Sequence, residues 1–144
     1  MTSIEIRRLG AGDEALVEAA GHLFDGAPKP DAVRRFVEDP NHHLFVALSG
    51  GRPVGFVSGV ELTHPDKGTE MFLYELAVDE RHRRLGVATE LVAALRDLAL
   101  KRGCYDMWVL TDHDNEAALG TYRKSGTSEE SSHVMLTWDL HPPG

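Results

Sequence analysis

The period of the hydrophobic pattern changes repeatedly along this chain, and each change marks an expected element. Ile4 to Leu9 alternates apolar and polar residues and predicts an opening strand. Leu16, Val17, Ala20, Leu23 and Phe24 recur at helical spacing within Asp13 to Phe24, with Asp13 placed to cap that helix. Asp31 to Asp39 forms a second short helix, entered through Pro28 and Pro30 and stopped by Pro40. Two strands, Leu44 to Leu48 and Pro53 to Glu61, flank Ser49-Gly50-Gly51-Arg52, a hairpin signal. A polar loop, Thr63 to Thr69, delivers the chain into a central strand, Glu70 to Val78. The strongest helical periodicity runs from Arg84 to Arg102, where Val87, Leu91, Leu95 and Leu98 form one stripe and Gly103 ends the helix. A strand from Tyr105 to Leu110, a short helix from Asn115 to Lys124 and a last strand from Ser132 to Leu140 complete the pattern; His141 to Gly144 is expected to fray.

The order β-α-α-β-β-β-α-β-α-β predicts an α/β fold on a mixed sheet. A helical crossover joins Val78 to Tyr105, so those two strands should be parallel neighbours. With 144 residues and no repeats or linker-like stretches, the chain is read as one domain over residues 1–144, large enough to bury a core without metal or disulfide. Its net charge of -8 argues against non-specific nucleic-acid binding and favours cationic partners. No apolar run approaches the roughly 20 residues that span a membrane. The first residues lack the charged and apolar regions of a secretory signal, so a cytoplasmic location is expected. Cys104, the only cysteine, has aromatic and apolar neighbours and is expected to be a packed thiol. Asp112-His113-Asp114 sets one histidine between two aspartates with no matching ligands elsewhere, so no metal site is expected.

Candidate chemistry concentrates between Tyr74 and Thr89. There an apolar strand breaks into the basic turn Arg81-His82-Arg83-Arg84 and then, through Gly86, into a helix. Gly86 permits close backbone approach, and the first amides of a helix lack intrahelical acceptors, so the turn is expected to cradle an anion. Positive side chains at a helix N-terminus oppose its macrodipole, a mismatch that an anionic ligand repairs. Glu75 is the only charged residue in Met71 to Val78, and a carboxylate inside a central strand is costly unless it is paired or used. It is therefore either half of a buried ion pair or a functional group.

Arg83-Arg84-Leu85-Gly86-Val87-Ala88, preceded by Leu76-Ala77-Val78, resembles the Arg/Gln-x-x-Gly-x-Gly/Ala signature of the GCN5-related N-acetyltransferases, the GNAT superfamily. Asn115 to Gly126 resembles the same family's Asn-x-x-Ala-x-x-x-Tyr-x-Lys-x-Gly block. Within the superfamily the chain looks most like the class I aminoglycoside (gentamicin) 3-N-acetyltransferases, through Tyr74 to Val78, His82 to Arg84, Gly86, Ala88-Thr89, Asp112, Tyr122 and Gly126-Thr127 leading to His133. It departs from them in carrying Glu75 where they typically carry Asp, and in the polar stretch Ser128 to Ser132.

The resemblance implies acetyl transfer from the cosubstrate acetyl-CoA to an amine by direct attack. The amides of Leu85, Gly86, Val87, Ala88 and Thr89, with Arg83 and Arg84, would hold the pyrophosphate. Leu76, Ala77 and Val78 would pair with the pantetheine amides like an added strand, and a backbone amide near Leu76 or Val78 would face the thioester oxygen. Glu75, directly or through water, is the expected base and an acceptor-site residue; Tyr122 is the expected acid toward the departing thiolate. Asn115, Ala118 and Tyr122 share one helical face and would line the cofactor groove, although Asn115 is equally suited to cap its helix. Asp112, Asp114, His133 and Asp25 are expected on the acceptor side, with Glu61 and Glu70 adding to a negative wall, although Glu61, Glu70, Asp25 and Asp114 each also read as ordinary solvated surface and His133 as a plain surface histidine; His42 and His43 need no special role.

The expected substrate is a polycationic small molecule, first the 3-amino group of an aminoglycoside. Other amines (a polyamine, an amino acid, a protein lysine or N-terminus) suit the same acidity, and a non-catalytic acyl-CoA sensor is the rival from another class. Neither nucleic acid nor membrane is expected as a partner. The resemblance also implies a possible homodimer, with the last strand as its contact edge.

Overall fold

A computed structural model describes residues 3–142; Met1 and Thr2, and Pro143 and Gly144 of the expected frayed tail, lie outside the described residues. The elements are β1 (Ile4–Leu9), α1 (Glu14–Ala19), a 3-10 turn (Gly21–Leu23), α2 (Pro30–Glu38), β2 (His42–Ser49), β3 (Arg52–His64), β4 (Gly68–Val78), a second 3-10 turn (Glu80–His82), α3 (Val87–Lys101), β5 (Asp106–Val109) and α4 (Glu116–Lys124). The strands lie side by side in chain order, antiparallel from β1 to β4 and parallel between β4 and β5. That one parallel pair follows from α3, which carries the chain back across the sheet as a crossover helix.

Alternation of side chains gives the sheet two buried faces. Leu44, Val46, Leu48 and Phe56 pack with Val17, Val33 and Val37 of α1 and α2. Ala47, Val57, Met71 and Leu73 pack with Val87, Leu91, Leu95 and Leu98 of α3, the stripe expected from sequence. Gly59 permits this close seating: a Cβ there would lie 2.8 and 2.9 Å from the Leu95 methyls and 3.1 Å from the Met71 sulfur.

β4 is where the sheet divides. Its pairing with β3 continues to Val78, whereas its pairing with β5 stops at Leu73 opposite Val109. The register partners Phe72 and Trp108 stack at 4.2 Å just before the strands part. From Tyr74 onward β4 has no β5 partner, and a wedge opens between the two strands.

Several boundaries differ from those expected. The long helix begins at Val87 rather than Arg84, because Arg84 (φ 64°) and Gly86 (φ 81°) are both left-handed. The polar loop contracts to Pro65, Asp66 and Lys67, since β3 and β4 extend to His64 and from Gly68, where Thr63 and Thr69 join hydroxyls at 3.0 Å. α1 stops at Ala19 and yields to the 3-10 turn. Ser132 to Leu140, expected as the last strand, forms no strand or helix and joins no sheet among the described residues. Among the described residues no partner strand lies along it, and its large apolar residues stand exposed.

Candidate active site

The placement of Glu75 comes from a defect in β4. Opposite β3, Ser58 pairs with Glu75 and Gly59 with Leu73, so Tyr74 is an extra residue, a β-bulge. Met71 and Leu73 point into the α3 core, and strict alternation would send residue 75 after them. The bulge resets the parity. Leu76 and Val78 now join the α3 core, Ala77 faces the α1/α2 layer, and Glu75 follows Phe72 and Tyr74 into a pocket on that second side.

This pocket, about 400 Å³, is walled by Phe24, Phe36, Phe56, Phe72 and Tyr74, with Glu75, Ser58 and His42 as its polar members. Burial pushes the Glu75 carboxyl above the ordinary range, and the negative charge of Asp25 pushes it the same way. Both causes disfavour the anion and make Glu75 a stronger proton acceptor than a surface carboxylate. Ser58, 6% exposed, has a hydroxyl with no hydrogen-bond partner among the described residues. An unpartnered polar atom buried beside a carboxylate is costly unless a ligand or water joins it.

Past Val78 the backbone turns under local control. Asp79 binds the His82 ring (2.9 Å) and accepts a hydrogen bond from the Arg81 amide (2.9 Å), and these contacts, the His82 ring first, hold its carboxyl below the usual range. Arg83 donates from Nε to the Val78 carbonyl at 3.2 Å, so it braces one of the backbone groups expected to meet the pantetheine. α3 then opens without any side-chain cap, and Gly86 has free space where a Cβ would stand. Val87, Ala88 and Thr89 occupy the first turn, where amides lack helical acceptors, and Leu85 and Arg84 are exposed beside them. Uncapped amides, an open glycine and an adjacent guanidinium fit a pyrophosphate. When bound there, acetyl-CoA would supply the activated acyl group.

Tyr122 lies on the other arm of the wedge, on α4, packed against the α3 core and lining a groove beside β5. Burial raises its pKa, so its hydroxyl holds a proton at neutral pH. Asn115 takes the capping role: its side chain accepts from the Ala118 amide at 3.1 Å. The acidic residues expected together on the acceptor side are divided. Asp25 influences Glu75, whereas Asp112 and His133 line the β5 groove with Tyr122, and Asp114 is exposed at the entry to α4.

Glu61 and Glu70 do not join a negative wall, because each is engaged elsewhere. Glu61 meets the ring of buried His43 at 2.6 Å and Arg102 at 2.9 Å, and His43 in turn meets Arg8 at 3.0 Å. His43, expected to need no role, thus ties β1, β2 and β3 together; its pKa is lowered, first by burial. Glu70 meets His64 at 2.6 Å, and that bond is the leading cause of its lowered pKa. Sequence reasoning missed Ser58, the aromatic wall and the bulge. A signal for the bulge was present, since the apolar pair Met71/Leu73 resumes at Leu76/Val78 after a spacing of three rather than two.

Among the described residues no group of metal-binding side chains converges, and no helix is long and apolar enough to cross a membrane. Solved structures share the fold along nearly the whole chain. An aminoglycoside acetyltransferase from an uncultured soil metagenomic sample, in complex with sisomicin, superposes with a TM-score of 0.89 at 22% identity over 96% of this chain and 97% of its own. A second such enzyme, HMB0005, is 30% identical with a TM-score of 0.82 over 95% and 99%. Aminoglycoside N-acetyltransferase AAC(6′)-Iy in complex with CoA gives a TM-score of 0.80 at 21% identity over 97% of each. Among curated relatives, rat (Rattus norvegicus) N-acetyltransferase 8 is 30% identical over 111 residues, and the chain spans about half that protein's length (75% of this chain, 50% of the relative). Residues 6–127 match the acetyltransferase (GNAT) family, and with the wedge at β4 and the glycine turn before α3 the chain belongs to that family.

Proposed function

We propose that this protein transfers the acetyl group of acetyl-CoA to an amine of a polycationic small molecule of the aminoglycoside type. The carrying observation is the bulge at Tyr74, which turns Glu75 out of the core at the point where β4 leaves β5. A carboxylate with a raised pKa suits removal of the proton from an alkylammonium, directly or through a water shared with Ser58. The freed amine then attacks the thioester carbon, the C–N bond forms and the C–S bond breaks. Tyr122 gives its proton to the departing thiolate, and the remaining surplus proton on nitrogen makes good that loss. One of the backbone amides of Leu76 to Val78 would stabilise the oxyanion.

The 30% identical aminoglycoside acetyltransferase and the net charge of -8 support the acceptor class. The sequence resemblance directs the proposal to the 3-amino group, while one structural neighbour bears the 6′ designation, so product regiochemistry is the decisive readout. The aromatic wall around Glu75 supports a second reading, an amine carried on a less polar stem, and one curated relative is a spermidine N(1)-acetyltransferase of Escherichia coli. CoA thiol release should be measured with gentamicin, sisomicin, kanamycin, spermidine and a peptide amine. Release with the aminoglycosides, and acetyl on the 3-amine by NMR, is the expected result. Release with another amine alone removes the antibiotic and keeps the chemistry; binding of acetyl-CoA with no release for any amine overturns the enzymatic proposal in favour of an acyl-CoA sensor.

A further inference from the structure

The pocket that receives Glu75 has a lining that a sugar ring cannot satisfy. Its wall is made of rings packed on one another, Phe24 on Phe56 at 4.6 Å and Phe72 on Tyr74 at 5.6 Å, with Val17 of α1 and Val33 of α2 closing it. Of its three polar members, His42 stands at the exposed edge, against the Phe36 ring at 5.1 Å and 3.9 Å from the Asp39 carboxylate. Two polar groups remain for the interior, Glu75 and Ser58. A hydroxyl-rich ring carried into this space would give up its water and find almost no partners, the costly case of polar burial. An aminoglycoside acetylated at Glu75 therefore keeps its rings at the mouth and leaves the interior unused.

Ser58 and Glu75 are register partners on β3 and β4, and strand neighbours of that kind hold their Cβ atoms about 4.5–5.5 Å apart. Yet the buried Ser58 hydroxyl bonds neither Glu75 nor any other group among the described residues. A buried hydroxyl left open beside a carboxylate marks a place for one further polar group. An alkylammonium fits it: one N–H reaches the Glu75 carboxylate, another reaches the Ser58 oxygen, and the positive charge faces both the carboxylate and the aromatic rings. Hydrocarbon attached to that nitrogen finds its apolar surroundings inward, along the rings. An apolar cavity of about 150 Å³ takes up benzene, so about 400 Å³ accommodates an aromatic ring with a short arm.

We propose that this pocket binds a primary amine on an aryl-alkyl stem, with its nitrogen between Glu75 and Ser58 and its ring among Phe24, Phe36, Phe56 and Phe72, and presents it to the thioester as a second acceptor class beside the polycations. This acceptor class presupposes the reading of Glu75 as the group that receives the amine, and it is independent of the aminoglycoside. Ser58 becomes an acceptor-binding residue, which gives its buried hydroxyl a partner. The ammonium gives one proton to Glu75, which passes it to solvent. The C–N bond forms as the C–S bond breaks, and Tyr122 protonates the thiolate and recovers a proton from the new amide nitrogen.

NMR titration of the wild-type protein with 2-phenylethylamine and with ethanolamine, primary amines that differ in the stem, tests binding without turnover. 2-Phenylethylamine should bind about 10- to 100-fold more tightly, the range expected when one aromatic group leaves water, and its ring protons should show Overhauser contacts to Phe36 and Phe56. Ser58→Ala should weaken that binding about tenfold, the loss of one hydrogen bond. Val60→Trp, which fills the pocket from a half-buried position, should reduce it to the level of ethanolamine. In CoA release, kcat/KM should favour 2-phenylethylamine over ethanolamine by a similar factor, with the N-acetyl amine as product. Equal affinities, or ring contacts outside the pocket, overturn the proposal and leave acetyl transfer to aminoglycosides untouched. Binding in the pocket with release for aminoglycosides but none for 2-phenylethylamine overturns the acceptor role alone. Binding there with no release for any amine overturns the acceptor role together with the acetyl transfer proposed above, and the ring contacts then place the failure in the chemistry rather than in the pocket. The wild-type data decide the matter even if a variant does not fold.

Discussion

The two ends of the sheet are built to different standards. Between β1 and β4 the strands are sandwiched by helices, and Val46, Ala47, Val57, Met71, Leu91 and Leu95 are inaccessible to solvent. From Leu100 to Pro142, across β5, α4 and the tail, no residue is fully buried. Because hydrophobic stabilisation scales with the apolar area removed from water, the first region carries most of the fold's stability. The second is free to be shaped by what it binds. The candidate chemistry lies on their seam, with Glu75 on the rigid side and Tyr122 on the open one.

The sharpest way to break this comparison is to remove chemistry from the rigid side while leaving its packing alone. Glu75→Gln keeps the volume and removes the titrating proton acceptor, so turnover should fall by about 10²- to 10⁴-fold, the usual contribution of general-base catalysis. Affinity for acetyl-CoA should hardly move, since the glycine turn is untouched. Nor should the melting temperature fall at pH 8: a carboxyl with a raised folded pKa costs stability where it is ionised, and Gln removes that cost. Full turnover in Glu75→Gln would return this residue to a purely structural role.

Glycine substitutions test the packing contrast directly. Gly59→Val places atoms against Leu95 and Met71, both fully buried, so urea denaturation should show a loss of roughly 1–3 kcal/mol from overpacking. Gly120→Ala in α4 meets nothing within 4 Å and removes a flexible residue from a helix interior. It should stabilise by about 0.5–1 kcal/mol. Equal losses from both would mean that the open region is as tightly packed as the closed one.

The same contrast governs what could be read from sequence. The α3 stripe, the hairpin at Gly50-Gly51 and the parallel neighbour after the crossover are local or periodic features, and the structure contains all of them. Pairing of Ser132 to Leu140 is not local: alternation makes a segment fit to be a strand but does not name its partner, and among the described residues it has none. Glu75 was legible as a charge out of place, whereas the bulge that aims it is a register shift between two strands. Glu61 and Glu70 looked like free carboxylates because their partners, His43 with Arg102 and His64, are distant in sequence or appear to sit in loops. Ser58 gave no signal, because the absence of a partner for its hydroxyl exists only once the pocket is built.

The smallest effect isolates the influence of a single exposed charge on the pocket. Asp25 follows the 3-10 turn after α1, and its negative charge is the lesser of the two causes that raise the Glu75 pKa, burial being the greater. Asp25→Asn removes only the lesser cause. The Glu75 anion then becomes easier to form, its pKa falls, and the proton-accepting form survives to lower pH. The acidic limb of the kcat/KM profile should therefore move toward lower pH in the variant, while the burial component keeps it above the ordinary carboxylate range. Salt separates charge from shape: because Asp25 is exposed, added salt should move the wild-type limb in that same direction and leave the variant's limb in place. A limb that stays fixed in both experiments would mean that Asp25 does not reach Glu75. A limb that moves toward higher pH would mean that the group titrating in catalysis is not the carboxylate on β4.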